Sequence, residues 1–159
     1  MHEEKLALEH VTKKFGQKTN LVTALEDVSL SFAAGEVSLI IGPSGSGKST
    51  LLTILGGLQT PTNGAVRLNG RDISDLSNKE AEKTRLEQIG FVLQAYNLVP
   101  YLTVADQFKL VDQVKPNDNL SPAAFDKIIE TLGIQKLLNK YPGELSGGQQ
   151  QRVAIARAL

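Results

Sequence analysis

The sequence predicts an α/β chain: an antiparallel β layer comes first, then a strand passing through a glycine loop into a helix, then a helical C-terminal half. Three observations carry that prediction. Apolar residues alternate early in the chain, a compact apolar run feeds Gly42-Pro43-Ser44-Gly45-Ser46-Gly47-Lys48-Ser49-Thr50, and the apolar period lengthens to that of a helix beyond Thr103.

Leu6, Leu8 and Val11 open the first alternating segment, and Leu25, Val28, Leu30 and Phe32 mark a second strand within Ala24 to Phe32. Val37 to Ile41 is short and nearly continuous in apolar character, which reads as a buried strand. Leu51 to Leu55 continues the glycine loop as a helix, and Gly56-Gly57 stops it. Pro61-Thr62-Asn63-Gly64 is turn chemistry ahead of a strand at Ala65 to Leu68, itself closed by the tight turn Asn69-Gly70. Ser77 with Glu80 forms a capping box for a helix to about Glu87. Ile89 to Leu93 is a second compact run, read as a strand leading through Gln94 into an ordered loop at Tyr96 to Leu102.

Val104, Phe108 and Val111 share one helix face, which breaks at the surface turn Lys115-Pro116-Asn117-Asp118-Asn119. Ser121-Pro122 supplies a cap and a first-turn proline for the next helix, whose apolar face is Phe125, Ile128, Ile129 and Leu132 and whose stop is Gly133. After Tyr141-Pro142-Gly143, Ser146 and Gln149 make a last capping box and open a helix containing Val153, Ile155, Ala156 and Leu159. No internal repeat or low-complexity tract interrupts this order.

Composition narrows the function classes. With 17 Lys plus Arg against 17 Asp plus Glu, the chain has no excess of positive charge with which to coat nucleic acid or an anionic membrane, so no nucleic-acid partner is expected. The absence of cysteine removes disulfides, thiolate metal sites and cysteine nucleophiles. No apolar run reaches the roughly 18 residues needed to span a bilayer, and Met1-His2-Glu3-Glu4-Lys5 is too polar and acidic for a secretory signal. His2 and His10 are not paired at ligand spacing and read as surface or packing residues.

Gly42-x-x-x-x-Gly47-Lys48-Ser49, set between a strand and a helix, matches the P-loop pattern in the context the pattern requires. Loop amides and the helix N-terminus point at a β-phosphate, glycines permit the close approach, Lys48 neutralises β and γ oxygens, and Ser49 offers its hydroxyl to Mg²⁺. Kinases, GTPases, helicases and transport ATPases share this cradle. A second glycine motif, Leu145-Ser146-Gly147-Gly148-Gln149, sets a serine hydroxyl and two glycine amides at another helix start. Two phosphate-seeking helix starts suit a dimer in which each grips opposite sides of one ATP.

With these residues in hand, the chain resembles the nucleotide-binding domain of an ABC transporter. Gly42 to Ser49 resembles its Walker A motif, Gln94 its Q-loop glutamine and Leu145 to Gln149 its signature motif, in the family's order. The stretches Gly90-Phe91-Val92-Leu93-Gln94, Asn97-Leu98-Val99-Pro100 and Gln149 to Arg157 are similar to the lipoprotein-release, macrolide and antimicrobial-peptide exporter branch. The resemblance implies a P-loop NTPase of the ABC ATPase type, with an N-terminal antiparallel β layer, an incomplete RecA-like core and an α-helical subdomain. It implies a single ATP-binding domain over 1–159, divided into β layer and P-loop core at 1–94, helical subdomain at 95–145 and signature helix at 146–159.

Site roles follow from the resemblance. The nucleotide sits on Phe15, Val22 and the Gly42 to Thr50 loop, with Phe15 stacking on adenine where the family more often has tyrosine. Lys48 and Gln94 are the catalytic candidates, Ser49 and Gln94 the Mg²⁺ contacts, and Leu145, Ser146, Gly147, Gly148 and Gln149 touch the ATP of a second copy. Tyr96 to Leu102 would line the groove that receives a cytoplasmic helix of a transmembrane permease subunit. The implied partners are permease subunits and a head-to-tail homodimer, the implied location the cytoplasmic face of the membrane, and the implied reaction ATP to ADP plus phosphate, coupled to export.

In the family the signature helix leads into a strand ending in an aspartate and a glutamate, then a dimer-contact loop and a histidine, and this sequence stops short of them. ATP binding with little turnover, and an uncovered apolar sheet edge with a tendency to aggregate, are therefore expected of the 159 residues by themselves. Two other readings remain open at the level of sequence: a non-hydrolysing nucleotide-dependent interaction module, and a soluble ABC protein of DNA repair or translation. A P-loop kinase or GTPase is more distant, since neither needs the Ser146-Gly147-Gly148 helix start.

Overall fold

The computed structural model describes residues 4–115 and 119–159. The readings of His2, of the Met1 to Glu3 start and of Pro116-Asn117-Asp118 lie outside the described residues. The chain divides into two compact units, 1–85 and 86–159.

In the first unit, β1 (Glu4–Phe15) lies between β2 (Val22–Ala33) and β3 (Asn63–Leu68), and β4 (Arg71–Asp72) completes an antiparallel sheet of order β2-β1-β3-β4. Leu8 and Val11 both point inward and pack with Leu25 and Val66; they are three residues apart, and the bulge between them restores Val11 to the face that a strict period of two would deny it. Helix α1 (Lys48–Leu55) covers that face with Leu51, Ile54 and Leu55. Burying three such side chains contributes roughly 1.5–3 kcal/mol each, ample to hold a helix of two turns that would not form alone. A bulge between Leu8 and Val11 puts His10 in the left-handed region opposite Asp27, and His10 Nδ1 lies 2.8 Å from Asp27 Oδ1 at the surface.

The turn-and-cap signals of this unit resolve as expected. Asn69 and Gly70, both at positive φ, join β3 to β4. Gly56 caps α1 and Gly57 follows at φ +63. Ser77 and Glu80 exchange hydrogen bonds at the start of α2 (Asn78–Gln88).

Two expected strands are corrected. Val37 to Ile41 and Ile89 to Leu93 run without regular structure, because a strand needs a neighbour to complete its ladder and neither run is paired in the sheet. Val37, Leu39 and Ile41 stand exposed on alternate positions, while Ile40 packs against the sheet core.

The second unit is helical. Helices α3 (Val104–Val114), α4 (Pro122–Thr131) and α5 (Gly147–Ala158) bury Val104, Phe108, Ile129, Val153 and Ala156 together with Ile134, Leu137 and Leu145 from the segments between them. Phe108 and Phe125 meet edge to face at 5.0 Å. Each helix start carries its side-chain cap: Thr103 for α3, Ser121 for α4 and Ser146 for α5.

Candidate functional site

The Gly42 to Thr50 loop is shaped by three local constraints. Gly45 and Gly47 take φ values of +80 and +86, which other residues rarely adopt, and a Cβ on Gly47 would overlap the carbonyl oxygen of Ala24 on β2. The loop thus lies directly against the strand that also carries Val22. Inside the loop, Ser46 donates its amide to the Pro43 carbonyl at 3.3 Å, and Leu51 donates to Gly47 at 2.8 Å to begin α1.

Lys48 does not extend into solvent. Its ammonium donates to the carbonyls of Gly42 at 2.8 Å and Pro43 at 2.6 Å, with Ser46 Oγ at 3.4 Å. No side chain caps α1 and no acidic residue occupies its first turn, so the amides at its start remain available to an external acceptor. A cationic side chain, uncapped helix amides and a loop with glycine at 42, 45 and 47 make a cradle fitted to an anionic, multi-oxygen group such as a phosphate chain. Ser49 presents its hydroxyl, exposed, on the first turn.

Phe15 and Val22 oppose each other across β1 and β2, and both are exposed. Lys13 Nζ lies 5.2 Å from the centre of the Phe15 ring, so the exposed aromatic face already receives one cation. Among the candidate residues, the first unit holds Phe15, Val22 and the whole loop, and the second unit holds Gln94 and Leu145 to Gln149.

In the second unit, Ser146 and Gln149 complete a reciprocal capping box: Ser146 Oγ accepts from the Gln149 amide at 3.4 Å, and Gln149 Oε1 accepts from the Ser146 amide at 2.8 Å. Leu145 is buried in the helical core. Gly147 and Gly148 are exposed, a Cβ on Gly147 would meet nothing within 4 Å, and neither residue has a left-handed φ. Local backbone and packing therefore leave the glycine at 147 without an internal reason. Gln94 is exposed at a turn that leads into Tyr96 to Leu102.

That loop is held from two sides by residues the sequence reading did not single out. Arg157, on α5, donates from Nη1 to the Asn97 carbonyl and from Nη2 to the Tyr96 carbonyl, both at 2.8 Å. Burial pushes its guanidinium pKa down. Gln107, on α3, is fully buried; its Nε2 donates to the carbonyls of Val99 at 2.7 Å and Leu102 at 3.3 Å, and its Oε1 accepts from the Val99 amide at 3.1 Å. One signal for Gln107 was present: a polar residue three positions after Val104, on the apolar face of α3.

Comparison with known proteins places these features in a family. A family model described as ABC transporter matches residues 25–159. HrtA of Staphylococcus epidermidis, an ATP-binding protein named for hemin import, is 43% identical over 155 residues, spanning 97% of this chain and 69% of its own. The ABC transporter ATP-binding protein YtrE of Bacillus subtilis is 40% identical over 159 residues, 96% of this chain and 68% of its own. The ATP-binding cassette MJ0796, solved as a dimer in a post-hydrolysis state with ADP and Pi, superposes with a TM-score of 0.84 at 42% identity, covering 97% of this chain and 68% of that one.

Proposed function

The chain belongs to the ABC transporter family as one of its ATP-binding, ATPase-type chains, and from that premise we propose that Gly42 to Thr50 cradles the β- and γ-phosphates of ATP. Amides at the uncapped start of α1 donate to the phosphate oxygens, Gly47 lets the loop lie close against β2, and at Gly45 a side chain would stand in the open space beside the loop. The observation that carries this reading is the Lys48 ammonium gathered over the loop by the Gly42 and Pro43 carbonyls. Phosphate oxygens would replace two neutral acceptors with charged ones, a stronger pairing for the same donor. Phe15 and Val22 offer the exposed apolar face on which adenine stacks.

Ser49 offers the hydroxyl oxygen for Mg²⁺, a hard cation that suits oxygen donors and accompanies nucleotide phosphates. When bound, it neutralises charge on the phosphate oxygens.

Leu145 to Gln149 is read as the contact to ATP on a second copy in a head-to-tail dimer. The exposed, unconstrained Gly147 supports this, because a glycine without an internal reason suits the close approach of an outside group. Tyr96 to Leu102, with Gln94 at its head, is read as the docking loop for a permease's cytoplasmic helix. Among the described residues no helix is long and apolar enough to cross a membrane. Export is proposed on the branch motifs; the macrolide export protein MacB of Marinobacter nauticus, 41% identical over 97% of this chain and 24% of its own length, supports it.

Competition for a fluorescent ATP analogue tests the phosphate reading. ATP and ADP should displace the analogue from the chain while AMP, lacking a β-phosphate, does not; displacement by all three alike would contradict it.

A further inference from the structure

The docking loop has no regular structure of its own, yet its backbone is not left to solvent. Seven residues of irregular chain need partners for their amides and carbonyls wherever these are buried, and one side chain supplies three of them. Gln107 pairs with Val99 on both its amide and its carbonyl, the way a neighbouring strand would, and reaches the Leu102 carbonyl with its second proton. Its own side chain is fully buried among apolar neighbours on α3, so all three bonds form away from water.

No apolar residue could replace that function. An isosteric hydrocarbon fills the volume but orphans the Val99 amide and the Leu102 carbonyl and leaves the Val99 carbonyl with only the Leu102 amide at 3.2 Å, and the loop regains the lost bonds only by opening to water. With Gln107 in place the loop is tied to α3 at its far half while Arg157 ties its near half to α5.

We propose that Gln107 is a positioning residue that makes Tyr96 to Leu102 a rigid extension of the helical unit, so that a partner seated on the loop moves that unit as one body. This rests on the reading of the loop as the docking surface, and the physical content, loop rigidity set by one amide, is separable from it.

The test uses the 159-residue chain, whose lack of cysteine lets two introduced thiols carry spin labels without competition. Labels at Tyr101→Cys, on the exposed loop, and Gln151→Cys, on the exposed face of α5, report the distance between loop and helix by pulsed electron resonance. With Gln107 the distribution should be single and narrow at pH 8 and pH 5. Gln107→Met should broaden it at both pH values. Gln107→Glu should broaden it at pH 8, where a carboxylate cannot donate to Val99 and Leu102, and narrow it toward pH 5 as protonation restores one donor.

Equal, narrow distributions in all three chains, or a broad one already with Gln107, would overturn the proposal. Loss of cooperative melting in both variants would overturn it as well, by making Gln107 a residue of the folding core and not of the loop. Mg-ATP affinity should stay within twofold throughout; weak ATP binding with a narrow distance would count against the nucleotide reading and leave the positioning role standing.

Discussion

Arg157 and Asn97 are bonded across 60 positions of sequence: the guanidinium donates to the Asn97 carbonyl at 2.8 Å and, with its other nitrogen, to the Tyr96 carbonyl at 2.8 Å. Tyr96 and Asn97 take φ values of 58 and 48, a left-handed pair that few side chains tolerate. Such a conformation persists where surrounding structure imposes it, and the two carbonyls captured by one planar cation are that imposition.

Arg157→Met removes both charge-assisted bonds while keeping most of the packed stem. The variant should lose about 2 kcal/mol of stability, read as a lower urea midpoint with an unchanged slope. Arg157→Lys, with a single point of charge in place of the fork, should recover only part of the loss.

Gly47 and Gly147 separate two reasons for a glycine. Gly47→Ala places a Cβ against the Ala24 carbonyl at a φ of +86, so it should cost about 1–3 kcal/mol in strain, lower the melting temperature and abolish Mg-ATP binding. Gly147→Ala points a methyl group into open space on the first turn of α5, and its melting temperature should be unchanged or slightly raised. Its defect should appear only as lost ATP-dependent pairing in sedimentation, and a large fall in melting temperature would show that the glycine is needed for folding after all.

The capping carboxylates set an acid limit. The Thr103 hydroxyl, then Lys109, hold Asp106 below the usual carboxylate range; the Ser77 hydroxyl and amide do the same for Glu80, and the Ser74 amide for Asp72. Because each folded pKa lies below its unfolded one, the stabilisation is fully present above the ordinary values of 3.8 and 4.5 and is lost as pH falls through the lowered ones. Urea midpoints from these groups should therefore hold between pH 6 and 8 and drop below about pH 4. Asp106→Asn should lower stability at pH 7 and flatten the drop.

How much was legible in the sequence follows from how local each signal is. Ser146 with Gln149, Ser77 with Glu80 and Ser121 with Pro122 sit within three residues of their partners, and the helix starts they mark are where the structure has them. Leu6 and Leu8 were readable as one sheet face because a period of two dictates it, whereas Val11 joins that face only through the bulge at His10, which the apolar pattern does not encode. Val37 to Ile41 and Ile89 to Leu93 were not, since an apolar run signals burial while a strand is completed only by a neighbour that the run does not encode. Arg157 escaped for the same reason: its acceptors are backbone carbonyls 60 residues away, and carbonyls leave no trace in residue identity.

The phosphate cradle is tested most directly by calorimetric titration of Mg-ATP into the chain beside its Lys48→Ala variant. Saturable binding that weakens at least tenfold in the variant, about 1.4 kcal/mol, is the predicted result. Equal binding by both chains, each folded by circular dichroism, would contradict it, and would mean that the ammonium held by Gly42 and Pro43 serves the loop alone.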